Sequence, residues 1–191
     1  MQARISVGVP NGSDLPASAR LFVEAFGGHP IASLPPRLQH RFIAAHIEHC
    51  PTLVASDGAS GRVLGFAIGG RRDDLDRARR RFIYGNALGL AYHALSPRGA
   101  ALRVARAASR REHSSPRAAC ELRYFAVAAD ERGRGVGSAL LAALEGGVFA
   151  RQPYYVWVLA ERPAALRFYA RHGFDREHQI DGHVRLIKQP G

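Results

Sequence analysis

Glu121-Leu-Arg-Tyr-Phe-Ala-Val-Ala-Ala-Asp-Glu-Arg-Gly-Arg-Gly-Val-Gly-Ser138 decides the fold. A strand-like run ends at Val127. After a turn, Gly133, Gly135 and Gly137 stand at alternate positions, and a helix-like run follows from Ala139 to Glu145. Strand, glycine loop and helix N-terminus together make a site for phosphate. The loop N–H groups point at the anion, the helix dipole favours negative charge, and glycine lets the backbone come close. Arg132 and Arg134 add fixed positive charge. The segment therefore reads as a grip for a ligand carrying a pyrophosphate.

Two nucleotide motifs fail here. A P-loop needs a Gly-Lys pair before Ser or Thr, and the chain contains none. A dinucleotide fingerprint counted from Gly133 would place its third glycine at position 138, which is Ser, and no second parallel strand with an acidic residue follows at the usual interval. What remains is Arg132-x-x-Gly135-x-Gly137 directly after a strand. It resembles the coenzyme A loop of the GCN5-related N-acetyltransferases, the GNAT family. A second motif lies downstream. Tyr154 to Ala160 is an apolar, β-branched and aromatic run that reads as a buried strand. Arg162-Pro163-Ala-Ala165-Leu-Arg-Phe168-Tyr169-Ala-Arg-His-Gly173-Phe174 follows, with Pro163 suited to a first helical turn and Gly173 to the position after a last one. This is similar to the family's Asn-x-x-Ala-x-x-Phe-Tyr-x-x-x-Gly-Phe, with Arg162 in place of Asn. The resemblance is firm over about residues 120–178, and over 1–70 only the element order agrees.

The remaining elements fall into place around these motifs. Arg4 to Val9 reads as a strand. Asp14 is placed to cap a helix reaching Phe26, with Leu15, Ala19, Phe22 and Phe26 on one face. Pro36 to His49 is a second helix. Thr52 to Ser56 and Arg62 to Ile68 are strands around the turn Asp57 to Gly61. Residues 71–117 are helical and basic. Leu75, Ala78, Phe82, Gly85, Gly89 and Tyr92 recur there at helical spacing, and Ala100 to Arg111 forms a second amphipathic run. Then come strand Glu121–Val127, helix Ser138–Val148, strand Tyr154–Leu159 and helix Pro163–His172. A final hairpin joins Phe174–Gln179 to His183–Lys188 across Asp181-Gly182. The order is β-α-α-β-β-(insert)-β-α-β-α-β-β. The expected fold class is α/β (α+β): a mixed, mostly antiparallel central sheet flanked by helices, acetyltransferase-type, with a basic helical insert (71–119) before the central strand. The whole chain, residues 1–191, is expected to form a single domain.

Composition narrows the setting. Hydrophobic residues make up 47% of the chain, as in ordinary globular proteins. Phe82 to Leu95, the longest nearly apolar stretch, is too short to span a bilayer. No charged-then-apolar leader pattern is read at the N-terminus. Cys50 and Cys120 suggest no disulfide framework, so a cytoplasmic location is expected. Net charge is +11, and residues 71–119 hold twelve Arg against Asp73, Asp74, Asp76 and Glu112, contributing +8 of it.

The resemblance assigns roles for acetyl transfer from acetyl-CoA. It implies that Phe125, Ala126 and Val127 bind the pantetheine arm and polarise the thioester through their backbone. It implies that Arg132, Gly133, Arg134, Gly135, Val136, Gly137 and Ser138 hold the pyrophosphate. Tyr169 occupies the position of a general acid near the sulfur. Glu121 lies where histone-modifying relatives carry a catalytic glutamate, and either a direct proton transfer or one through water is open to it. Asn in relatives also touches the pantetheine; Arg162 at that place is left with a phosphate, an acidic acceptor or solvent. No metal is expected: His46, His49 and Cys50 share a helix region, but a fourth ligand is not evident. The implied reaction is N-acetylation of a small-molecule primary amine in a ternary complex. The insert's charge favours an acidic acceptor. Alternatives are a protein Nα- or lysine-acetyltransferase, or a non-catalytic module that binds coenzyme A or another anion. Nucleic acid is disfavoured, since no recognition motif is present, and a homodimer is an admissible assembly.

Overall fold

A computed structural model describes residues 5–95 and 117–190. Seven strands form one sheet in the order β1-β2-β3-β4-β5-β7-β6. They are β1 (Ile5–Gly8), β2 (Thr52–Asp57), β3 (Val63–Arg71), β4 (Cys120–Val127), β5 (Tyr154–Leu159), β6 (Asp175–Ile180) and β7 (His183–Lys188). Neighbours run antiparallel except β4 and β5, which are parallel. The expected mixed, mostly antiparallel sheet is thus the observed one. Six helices accompany it among the described residues: α1 (Leu15–Ala25), α2 (Pro36–His49), α3 (Arg72–Gly85), α4 (Ala87–Leu95), α5 (Val136–Gly146) and α6 (Pro163–Arg171).

Local chemistry explains most boundaries. Pro36 and Pro163 each open a helix, where the missing N–H costs nothing. Asp181 and Gly182 both take positive φ, at 49° and 75°, the conformation of a two-residue hairpin turn between β6 and β7. Asp14 differs from expectation. It precedes α1, but its carboxylate accepts from the N–H of Asn11 at 2.8 Å and makes no cap bond to the helix.

The sheet separates two cores. On one side α1, α2 and α3 bury Phe22, Phe42, Ile43, Leu75 and Phe82 against Phe66, Ile68 and Tyr124. On the other, α5 and α6 bury Leu140, Leu141, Leu144 and Tyr169 against Leu64, Leu122 and Val156. Cys50 and Cys120 are both buried and unpaired. In the insert, Leu75, Ala78 and Phe82 face the core as expected, but Tyr92 is 77% exposed. The helix ends at Asn86, whose side-chain amide donates to the Phe82 carbonyl at 2.7 Å, and α4 sets off in a new phase. One helical period therefore cannot carry through to Tyr92. The run Ala100 to Arg111 lies outside the described residues. No described helix is long and apolar enough to cross a membrane.

Candidate functional site

β4 carries the site, and two irregularities in its pairing shape it. The first is on the β3 side, where Ile68 pairs with Tyr124 but Gly69 pairs with Leu122. Arg123 is the extra residue of a β-bulge, and the strand's alternation reverses across it. Cys120 and Leu122 pack with α5, whereas Tyr124 and Ala126 pack with α1 and α2. In a regular strand all four would face one way. The second irregularity is on the β5 side. Parallel pairing covers only Cys120–Leu122 against Tyr154–Val156. Beyond that β4 and β5 part, and the backbone edge of Phe125, Ala126 and Val127 that faces away from β3 is unpaired with β5.

The glycine loop continues from this open edge. Gly133 and Gly135 have φ of 79° and 88°, a region that side-chain-bearing residues enter only with strain. A Cβ at either would meet nothing within 4 Å, so the outer face of the loop is clear for a ligand to approach. Gly135 is the N-cap of α5, and Val136 begins that eleven-residue helix as a buried anchor. Gly137 is needed for a different reason. A Cβ there would lie 3.2 Å from the Phe168 ring and 3.6 Å from Phe125. Loop, strand and α6 meet at this point.

The charged residues of the loop are more committed than their sequence suggests. Arg134 pairs with Glu131 at 3.4 Å, and Glu131 also pairs with Arg62 of the β2–β3 hairpin. Glu131 is 4% exposed, so this clamp fixes the base of the loop. Arg132 turns its Nε back to the Val127 carbonyl at 3.4 Å, against the open edge itself. Ser138 is engaged as well: its Oγ lies 3.0 Å from His172 Nε2, while His172 Nδ1 lies 2.8 Å from the Phe168 carbonyl. A carbonyl only accepts, so Nδ1 carries the hydrogen, and in the neutral ring Nε2 accepts from the serine hydroxyl. Arg62, Glu131 and His172 escaped the sequence reading, because each acts on the loop from a distant element or through a buried charge that no local motif marks.

Tyr169 lies on α6, buried among Phe125, Phe168 and Phe174, with ring centroids 6.1, 5.2 and 5.0 Å away. Burial raises its phenol above the ordinary tyrosine range. Arg162 precedes the same helix and, as expected of arginine, makes no cap bond. Its Nη1 instead donates to the Ala25 carbonyl at 3.2 Å, tying the start of α6 to the end of α1.

Glu121 sits at the start of β4 with its side chain only 5% exposed. Oε2 accepts from the Tyr155 hydroxyl at 2.8 Å, and Oε1 lies 2.9 Å from Arg123 Nε. Burial raises its pKa above the ordinary glutamate value, and Arg123 and the Tyr155 hydrogen bond partly oppose that. Nearby, His29 and His46 flank Tyr124 at 5.8 and 5.4 Å. Burial lowers both histidines to about 4. His46 Nδ1 is held by the Phe42 carbonyl at 2.8 Å, and burial pushes the Cys50 thiol up to about 12. The helix region that carries His46, His49 and Cys50 thus offers neither a thiolate nor three convergent donors, and no cluster of metal-ligating side chains occurs among the described residues.

Comparison with known proteins bears on this arrangement. Residues 48–176 match the family model for an acetyltransferase (GNAT) domain. An uncharacterized N-acetyltransferase of Methanocaldococcus jannaschii is 35% identical over 75 residues, which is 38% of this chain and 33% of that protein, so the match spans about a third of that relative's length. Among solved structures, one described as SsHAT superposes with a TM-score of 0.70 at 17% identity, covering 97% of this chain and 98% of the other. An N-acetyltransferase from Staphylococcus aureus Mu50 superposes at 0.67 with 16% identity, covering 95% and 99%. At such identities the superpositions establish the shared fold. With the family model spanning more than half of the sequence, the chain belongs to the GNAT family of acyltransferases.

Proposed function

We propose that this acetyltransferase moves the acetyl group of acetyl-CoA to the primary amine of a small molecule, in a ternary complex. The observation that carries the reading is the parting of β4 from β5 after Leu122, which leaves Phe125–Val127 as an open strand edge beside the glycine loop. An amide-bearing chain such as pantetheine can dock there as a strand does, and a backbone N–H of this edge can polarise the thioester oxygen. The amides of Gly133 to Ser138, at the N-terminus of α5, suit the pyrophosphate. Arg132 would swing off the Val127 carbonyl to join it.

Glu121 takes a proton from the acceptor amine, directly or through water. The nitrogen attacks the thioester carbonyl, and the carbon–sulfur bond breaks. Tyr169, kept protonated by its apolar surroundings, donates to the departing sulfur. An acidic acceptor fits the charge of α3, which carries Arg72, Arg77, Arg79, Arg80 and Arg81 against Asp73, Asp74 and Asp76. The test is thiol release from acetyl-CoA across a panel of small amines and lysine-bearing peptides. Release with small amines supports the reading. Release with peptides alone favours a protein acetyltransferase, and coenzyme binding without release favours a non-catalytic binding module.

A further inference from the structure

His172 closes α6 as its C-cap, and both of its ring nitrogens have partners. Nδ1 lies 2.8 Å from the Phe168 carbonyl, and Nε2 lies 3.0 Å from the Oγ of Ser138. The ring also packs on Phe168, with 4.4 Å between centroids, and Phe168 in turn crowds Gly137. Ser138 stands exposed in the first turn of α5, on the loop whose outer face is clear at Gly133 and Gly135. The free N–H groups of that turn point where an anion would sit. A serine hydroxyl has one hydrogen. In the neutral pair it goes to Nε2, which leaves none for a phosphate oxygen. The other neutral tautomer would set a bare Nδ1 lone pair against the Phe168 carbonyl. A protonated His172 donates from both nitrogens, so the hydroxyl keeps its hydrogen for a ligand.

We propose that His172 is a positioning residue for the coenzyme: binding of the pyrophosphate at the α5 N-terminus draws a proton onto His172, which then donates to Ser138 and turns the serine hydroxyl toward the phosphate. This rests on the coenzyme-binding reading above. One proton passes from solvent to Nε2, and the serine O–H rotates from Nε2 to a phosphate oxygen without breaking. The neutral pair can satisfy either Nε2 or the phosphate. The charged pair satisfies both and places a cation one hydroxyl away from the anion. The C-terminal end of α6 also favours a cation at its cap. The charges carried by the elements around the ring are Arg132 and Arg134 of the loop, Glu145 of α5, Arg167 and Arg171 of α6, and Lys188 of β7. Glu145 is taken by Tyr154 and Lys188, and Arg134 by Glu131. Arginines oppose a further positive charge until an anion offsets them, so the proton arrives with the ligand.

The probe is dephospho-CoA, which keeps the pyrophosphate and lacks the 3′-phosphate, so that histidine and not the ligand titrates between about pH 5.5 and 8. Its binding is followed by calorimetry across that range in buffers of different ionisation heat. The wild-type chain should take up protons on binding and bind about tenfold more tightly at the acid end than at the alkaline end, the order of a charge-assisted hydrogen bond over a neutral one. His172→Gln keeps a hydrogen-bonding side chain that cannot titrate, and its affinity should be flat with pH. Ser138→Ala should flatten the profile too, and Ser138→Thr should keep it. A histidine that only packs would cost affinity equally at every pH when replaced. If His172→Gln does not fold, the two Ser138 variants, at an exposed position, give the same contrast. Wild-type binding without proton uptake overturns the proposal and leaves the coenzyme site standing, as does a pH dependence that persists undiminished in His172→Gln or Ser138→Ala. No binding of dephospho-CoA by the wild type overturns both.

Discussion

Tyr169 has one polar atom in a ring of aromatic neighbours, and that setting decides its protonation. With its phenol above the ordinary range, it stays a donor throughout neutral and mildly alkaline pH. Tyr169→Phe should lower kcat by roughly 100-fold, the usual worth of a positioned acid, with the coenzyme dissociation constant little changed. Steady-state kinetics and calorimetric titration with coenzyme A check this, and unchanged turnover removes the role. Glu121→Gln should abolish the acidic limb of the pH–rate profile; a normal profile in that variant takes Glu121 out of the reaction. Both residues were candidates from the sequence because the family resemblance marks their positions. Arg123 and Tyr155 were not. Period-two reading of Glu121 to Val127 assumes an unbroken ladder, and the bulge at Arg123 changes which residues share a face.

At the scale of elements, the glycine loop and α5 form one unit. Gly135 holds φ at 88° as the helix cap, and the loop's base is pinned by Glu131 to Arg62. Gly135→Ala forces a side chain into that conformation and should cost about 1–2 kcal/mol of stability. Coenzyme affinity should fall with it, because the loop amides are then held off their positions. Chemical denaturation and coenzyme titration report the two effects separately. The loop and its helix were readable because glycine spacing is a local signal. The ends of α3 and α4 were not, because Asn86 breaks the helix through a side-chain bond that hydrophobic spacing does not register. The sheet order shows the same limit: the hairpin of β6 and β7 was evident from Asp181-Gly182, but which strand of it pairs with β5 is settled only by tertiary packing.

For the whole molecule, acid is the clearest stress. His29 and His46 have folded pKa values lowered from 6.5 to about 4, so they contribute stability above pH 6.5 that is lost as pH falls toward 4. For His46 alone that shift corresponds to about 3 kcal/mol at 1.4 kcal/mol per pKa unit. The net charge of +11 adds self-repulsion as carboxylates are neutralised. Melting temperature should therefore drop steeply between pH 6.5 and 4, and His46→Phe should flatten that slope. A slope unaltered in the variant would assign acid sensitivity to the carboxylates.

The two cysteines give the molecule a different kind of silence. Cys50 and Cys120 are buried, and burial raises both thiols away from the reactive thiolate form. A disulfide chromogen added to the folded chain would find almost nothing to react with. Each acetyl group that leaves acetyl-CoA uncovers a fresh, fully exposed thiol. The protein should thus be a colourless background against which its own turnover can be counted, and a sudden rise of two slow-reacting equivalents would mark unfolding and not catalysis.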